Sequence, residues 1–542
     1  MKKIFLTLCL FVVFISGLNA EPVEVMVLMK ARYDRTKAEK RDYVVRELKA
    51  FAETSQHDIM TTLKELEQQG LVSSISSLWS ANAISFTTTE EVMHILMERA
   101  DIESITLVRK HQCIPESETT TEVTDISRYT IAPNLTQVNA PQVWGQGNEG
   151  QGVLVAVIDS GVNYNHVDIA DHLWDGGEDF PHHGWDFANN DDDPMDDYGH
   201  GTHCAGIVCG DGTAGLRTGA APGATLMCIK CTDNEGHSTS VNMVKGMEFA
   251  VEHGCDVISM SMGVAQAEVA EREMFRRTCE ALLDAGIVGI FPAGNEHNLQ
   301  HLCPIPLNVR VPGSCPPPYH DPDQMVNPGG LSCAICVGSV DENDTVASSS
   351  SEGPVTWQDT EFGDYAYEPG IGLIRPDVSA PGVIIWSLHY QHITDYNFMS
   401  GTSQATPCVA GIVALMLHEN PELTPAAICQ ILEETSLRLT PTKSNRTGVG
   451  RVDALAAVIA AAEWTPTSVN EICNENLMTL WPNPADDVLY LDVVDGTVVS
   501  IFDITGRMVK REKYQGQVDV SNLTSGIYTI KVDDITVRFV KE

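Results

Sequence analysis

The sequence predicts an α/β fold: a parallel sheet with helices on both faces, preceded by a small α/β unit and followed by a small β-sandwich. Three observations predict it. The stretches QGVLVAVID, GCDVISMSM and GIVGIFPAG are near-continuous apolar strands, the pattern of a parallel sheet buried on both faces. Ser240–His253 and Arg272–Ala285 supply helical stretches between them. After Trp464 the pattern changes to short alternating strands, such as VVSIFDITGR and GIYTIKV, divided by Asp, Gly and Asn turns.

Taken in order, residues 1–20 read as a signal peptide. Lys2 and Lys3 form a basic start, residues 4–15 are mostly apolar, and Leu18-Asn19-Ala20 offers a small residue at the cut. Residues 21–112 read as the small α/β unit. VEVMVLMKA is its first strand, and 37–69 is a long helix with Val44, Leu48, Phe51, Ile59, Leu63 and Leu66 on one face. Two strands, a second helix near 90–99 and the strand IESITLV follow. Residues 113–133, with the polar run ESETTTEVT, form a linker and processing region. Residues 134–462 hold the parallel sheet, interrupted by a Pro-rich insertion at 304–328. Residues 463–476 are a second linker, and 477–542 the β-domain.

The 542 residues carry 34 Lys+Arg and 74 Asp+Glu, a formal charge of −40. A nucleic-acid binder needs a basic face, so no nucleic-acid partner is expected. Docking on anionic lipid is disfavoured for the same reason. With 43% hydrophobic and 20% charged residues, global disorder is excluded. An exported chain with fifteen cysteines is free to form disulfides. Cys228/Cys231 and Cys333/Cys336 have the CxxC spacing of a zinc site. Both pairs lie in apolar strands, where residues three apart face opposite sides, so they read as core positions. Cys303 and Cys315 flank the Pro-rich insertion and are the disulfide candidates.

Three short stretches carry chemistry. VAVIDSGV places Asp159 at the carboxyl end of a strand, where open α/β sheets hold their sites. DYGHGTHCAG places His200 before a small-residue helix, and GTSQATPCVAG places Ser403 in the first turn of another. A hydroxyl needs a base to become a nucleophile. Histidine has the pKa for that work, and a carboxylate fixes its tautomer. The helix start at Ser403 aims free N–H groups at a developing oxyanion. Asn295, in FPAGN at the end of another strand, offers a second donor. Each piece alone has a plainer reading as a cap, a turn or, for HGTH, a metal ligand.

Together, in this order, they resemble the subtilisin (subtilase) family of serine proteases, whose triad runs Asp, His, Ser. The resemblance covers roughly 134–462 and implies a subtilisin-like sheet. It implies a secreted endopeptidase acting on protein or peptide substrates through an acyl-enzyme. Asp159 would be the orienting acid, His200 the general base, Ser403 the nucleophile and Asn295 the oxyanion donor. Ser261, Met262 and Gly263 match the edge segment that pairs with an extended substrate. Pro292, Ala293 and Gly294 match the opposite wall of the primary pocket. His203 is a structural residue in this family, and Cys204 follows HGTH as in the proteinase K-like branch, beneath the catalytic histidine.

The run WDFANNDDDPMDDYGHGTH is dense in the hard oxygen ligands that suit calcium. Its spacing resembles a calcium loop of thermitase-like subtilases and maps Asp186, Asp191 and Asp193 to ligand positions for a structural ion. No catalytic cofactor is expected. The 21–112 unit resembles a subtilase propeptide, on the SANAISF segment and the helix and strand after it. That implies a zymogen whose own propeptide assists folding and blocks the cleft as an intramolecular inhibitor. The tail resembles a type IX (Por) secretion sorting domain through WPNPADDVLYLDV, the DITGR turn, VSNLTSGIYTIKV and the ending VRFVKE. That implies the type IX machinery as partner and export across the outer membrane, to the medium or the cell surface. Two rival functions stand beside this one: a catalytically inactive subtilase-fold surface binding protein, and a dedicated maturation protease for one partner.

Overall fold

The computed structural model describes residues 22–33, 41–114, 128–318, 333–360, 372–465 and most of 480–541. The signal peptide, most of the processing region, residues 319–328 of the Pro-rich insertion and most of the second linker lie outside the described residues. The chain divides into two compact units at Trp464/Thr465.

In the first unit, a four-stranded antiparallel sheet runs Val72–Leu78, Ala83–Thr88, Val23–Met29, Ile102–Leu107. Helices Arg41–Gln68 and Glu90–Met97 accompany it. The apolar stripe of the long helix serves two cores. Ile59 and Leu63 pack with Val25, Val27 and Phe86 in the sheet's own core. Val44, Leu48 and Ala52 join Met26, Leu28 and Trp79 against Met247, Met274 and Phe275 of the large α/β layer. Each fully buried Leu, Ile, Met or Phe side chain contributes about 1.5–3 kcal/mol, so this seam is a strong one.

The large layer is a nine-stranded sheet. Its order is Leu437–Arg438, Gly450–Arg451, Val378–Pro381, Ala334–Val340, Val288–Pro292, Val257–Ser259, Leu154–Asp159, Thr225–Lys230, Gly184–Asp186. Every pairing is parallel except the edge pair Leu437–Arg438 with Gly450–Arg451. Alternation along a strand splits the core in two. Val155 and Val157 face the cluster that holds Ile207 and Ala410, from helices His200–Cys209 and Thr402–Glu419. Ala156 and Ile158 face Val244 and Phe275, from helices Ser240–Glu252 and Val269–Asp284. The same alternation sends Cys228 to one face and Cys231 to the other. Cys333 and Cys336 likewise enter different clusters. Among the described residues every cysteine is a free thiol, so Cys303 and Cys315 are not joined. Cys315 turns inward to lie against Cys279, which also meets Cys333. No described helix is long and apolar enough to cross a membrane.

The second unit is built from strands. Leu480–Trp481, Val488–Leu491 and Val518–Asp519 form one sheet; Met508–Lys513, Val498–Asp503, Gly526–Val532 and Ile535–Lys541 form another. Leu489, Leu491 and Val518 from the first share a core with Val499, Ile501, Ile530 and Phe539 from the second. This is the sandwich arrangement the alternating pattern predicts.

Candidate active site

Asp159 ends its strand fully buried. Its Oδ1 accepts from the backbone N–H of Ser160 at 2.8 Å and pairs with His200 Nδ1 at 2.7 Å. Two glycines make that approach possible. Gly199, before the histidine helix, has φ +108°, and a Cβ there would strike the Tyr390 ring at 2.5 Å. A Cβ on Gly201 would lie 2.1 Å from Gly161 O and 3.0 Å from Asp159 Cβ. Small residues therefore let the helix start settle directly onto the Asp159 loop.

Burial alone would press the pKa of His200 down. The Asp159 carboxylate reverses this, and the imidazole ends well above its usual 6.5. His203 has no such partner: burial, with His200 nearby, pushes it down to about 3. It stays neutral, and its Nε2 meets Ile385 O at 3.0 Å. HGTH here thus holds one imidazole paired with a carboxylate and one that ties the helix to the neighbouring strand Ile385–Leu388.

Ser403 is the second residue of its helix. Four residues on, Pro407 has no N–H to give the Ser403 carbonyl. That carbonyl instead accepts from Ser261 Oγ at 2.9 Å and Cys204 Sγ at 3.5 Å. The Ser403 hydroxyl donates to Ser261 O at 3.0 Å. Cys204 Sγ also lies 3.8 Å from His200 Nδ1, so one buried thiol sits between the histidine and the serine. Burial pushes that thiol's pKa up, which keeps it protonated. Asn295 follows the strand Val288–Pro292. Its Oδ1 accepts from Thr402 N at 3.0 Å and Thr402 Oγ1 at 3.2 Å. This fixes the amide, and its Nδ2 lies on the Gly401 side of the helix start.

Ser261, Met262 and Gly263 extend the strand Val257–Ser259, and Pro292, Ala293 and Gly294 end the next one; all six are buried. The N-terminal unit reaches this region. Its last strand, Lys110–Gln112, pairs antiparallel with His237–Thr239. Beyond it, the N–H groups of Cys113 and Ile114 both meet Gly236 O, and both side chains are buried.

The acidic run divides its labour. Asp186 accepts from Ala188 N, Asn189 N and Asn189 Nδ2 at 2.7, 2.9 and 2.8 Å. Asp191 accepts from Asp193 N, and Asp193 from Met195 N and Tyr164 OH. Their oxygens suit a hard cation but do not converge. Among the described residues, the one trio of His, Cys, Asp or Glu ligand atoms lying within 4.8 Å of each other is Asp159, His200 and Cys204. Two acids of the run do other work. Asp196 accepts from Ser160 Oγ, Tyr198 N, Gly199 N and both Thr202 donors, which clamps the start of the histidine helix. Asp197 pairs with Lys230. Asp196 stands three residues before Gly199, the residue that precedes the helix, so its hold on the helix start leaves no local cap signature in the sequence. Arg310, buried beside Glu296 and Gly263, is a further residue that no motif marks.

A buried carboxylate–imidazole pair at a strand end, a serine at a helix start and a fixed amide beside it define a serine peptidase on a parallel α/β sheet. Comparison with known proteins agrees. The model of the subtilase family matches residues 150–452, and that of a secretion-system C-terminal sorting domain matches 479–542. The chain belongs to the subtilase family and is a subtilisin-like serine endopeptidase. It is similar to serine protease AprX of Bacillus subtilis (strain 168), at 32% identity over 340 residues, covering 57% of this chain and 67% of that protein. Thermitase of Thermoactinomyces vulgaris is 30% identical over 324 residues, 59% of this chain and 94% of that one. Bacillopeptidase F of Bacillus subtilis (strain 168) is 27% identical over 462 residues, 79% of this chain but 29% of that protein's length. The sorting domain makes this an exported protein, secreted or held at the cell surface, with the type IX secretion machinery as partner.

Proposed function

We propose that the chain cleaves peptide bonds through an acyl-enzyme formed on Ser403, with His200 as general base, Asp159 as its orienting acid, and Asn295 plus the Ser403 N–H as oxyanion hole. The observation that carries this is the 2.7 Å contact of Asp159 Oδ1 with His200 Nδ1. It engages Nδ1 and leaves Nε2 as the free basic nitrogen. The Ser403 hydroxyl turns from Ser261 O to that nitrogen as a substrate carbonyl arrives, and the proton passes to His200 as the Oγ–C bond forms. His200 then returns it to the leaving amine, and water repeats the sequence to free the acyl group. Ser261–Gly263 and Pro292–Gly294 hold the substrate chain on either side.

The N-terminal unit is read as an intramolecular inhibitor. The strand Lys110–Gln112 lies along His237–Thr239, where it would exclude an extended substrate. A structural calcium ion at Asp186, Asp191 and Asp193 belongs to the same reading and would have to draw together carboxylates that stand apart without it; millimolar calcium should raise Tm in the native chain and not in an Asp191→Ala/Asp193→Ala double variant. The function itself is tested by Ser403→Ala. The expected result is loss of peptidase activity, loss of fluorophosphonate labelling and an N-terminal unit that stays attached. An alanine variant that still processes itself would sink the assignment.

A further inference from the structure

The floor between the two substrate walls is laid by a segment far along the chain. Arg310 N donates to Ala293 O at 3.0 Å in one wall, and Val311 exchanges two backbone bonds with Val264 beside the other. The Arg310 side chain fills the space between. A Cβ on Gly263 would lie 3.2 Å from Arg310 Cβ, and one on Gly294 would lie 3.0 Å from Arg310 Cγ. At the end of the stem, Nε and Nη2 donate to Glu296 Oε1 at 2.9 and 2.6 Å. That leaves the Nη1 edge, which donates to Gly263 O at 2.9 Å, Gln112 O at 3.2 Å and Cys113 O at 2.6 Å. Two of these three acceptors belong to the N-terminal segment and depart with it.

We propose that Arg310 determines primary specificity, its Nη1 edge selecting a substrate with a carboxylate side chain on the residue just before the scissile bond. This rests on the endopeptidase reading above and names its substrate class. Once Gln112 and Cys113 leave, a buried guanidinium edge faces the groove short of acceptors. The carbonyls that leave are main-chain groups, which an extended substrate returns whatever its side chain, so the choice among side chains falls on charge, and an apolar one brings no charged acceptor to this edge. A lysine or arginine would bring like charge to a group that does not lose its own. A carboxylate supplies a charged acceptor in the planar geometry that matches a guanidinium.

The test uses the self-processed enzyme and peptide anilides that differ only at that residue: Glu, Asp, Gln, Leu, Phe or Lys. The expected kcat/KM for Glu or Asp is at least tenfold above that for Leu, Phe and Lys. Arg310→Gln should lose that advantage at least tenfold while Ser403 still reacts with a fluorophosphonate. Wild-type enzyme that cleaves equally well after Leu, Phe or Lys overturns the proposal, whether or not the variant folds. So does an Arg310→Gln enzyme that keeps the acidic preference. If wild-type Ser403 is labelled but selection is absent, Arg310 alone is misassigned. If Ser403 is unlabelled and no peptide is cleaved, the endopeptidase reading falls with it.

Discussion

Ser261 and Ser403 hold each other through reciprocal hydrogen bonds: the Ser261 hydroxyl donates to the Ser403 carbonyl at 2.9 Å, and the Ser403 hydroxyl donates to the Ser261 carbonyl at 3.0 Å. The first bond exists because Pro407 leaves the Ser403 carbonyl without a helical donor. It fixes the Ser403 backbone from the Ser261 side. The second is the contact that the proposed mechanism has the hydroxyl give up as it turns to His200. Ser261→Ala removes only the first. A buried hydrogen bond of this kind is worth about 1 kcal/mol, so kcat should fall roughly five- to tenfold with little change in KM. Steady-state kinetics on one peptide anilide decides it, and an unchanged kcat would mean Ser261 positions nothing.

Cys204 gives the second prediction. Its Sγ lies 3.8 Å from His200 Nδ1 and 3.5 Å from Ser403 O, with no exposed surface. Any bulky group attached there must displace one of the two. A mercurial should therefore inactivate the native enzyme, while Cys204→Ala should keep most of its activity and resist the reagent. The other described cysteines are also buried, so equal inactivation of both proteins would assign the effect elsewhere.

The acid limb of the pH profile follows from His200. Burial opposes charge on the ring, Asp159 favours it, and Asp159 prevails, so the pKa sits well above 6.5. In its proposed role as general base, His200 works only when neutral. Activity should therefore be lost as pH falls through a value above 6.5, not below it. Asp159→Asn removes the favouring charge and leaves the burial, so its limb should move down in pH. Its kcat should drop on the order of 10⁴-fold, since the imidazole loses its tautomer as well. A native profile whose kcat/KM acid limb lies at or below 6.5 would contradict this balance.

These sites differ in how far the sequence alone exposes them. Asp159, His200, Asn295 and Ser403 each stand at a strand end or helix start within a short run of small residues, so local pattern marks them. The acidic run shows the limit. Density suggests a cation loop, yet Asp196 is spent on Ser160 and Thr202, and Asp197 on Lys230. Nothing local separates these acids, because their partners arrive through the fold. Arg310 is further from view: its contacts with Glu296, Gly263 and Gln112 span 14, 47 and 198 residues. The long N-terminal helix shows the same limit in packing. Its apolar stripe is legible, but the division of that stripe between two cores depends on which sheet each half meets.

Release of the N-terminal unit should depend on pH through Glu248. This side chain is buried where that unit docks: Ser80 N donates to its Oε1 at 2.7 Å, and Trp79 Nε1 donates to the adjacent Glu252 at 2.7 Å. Burial pushes the Glu248 pKa up to about 8, and Glu252 and Lys49 are its charged neighbours. The docked state therefore holds a proton at neutral pH. Undocking returns the carboxyl to water and towards its ordinary 4.5, where it gives that proton up. Docking is strongest below that value and weakens as pH rises towards 8, by at most about tenfold per pH unit. Dissociation of the cleaved unit, followed by size-exclusion so that the titration of His200 does not enter, should speed up from pH 5.5 to 7.5. Glu248→Gln cannot titrate and should flatten the dependence while keeping an acceptor for Ser80. A native protein that releases the unit equally fast across this range, or a variant as pH-sensitive as the native chain, would show that Glu248 is not the group that governs release.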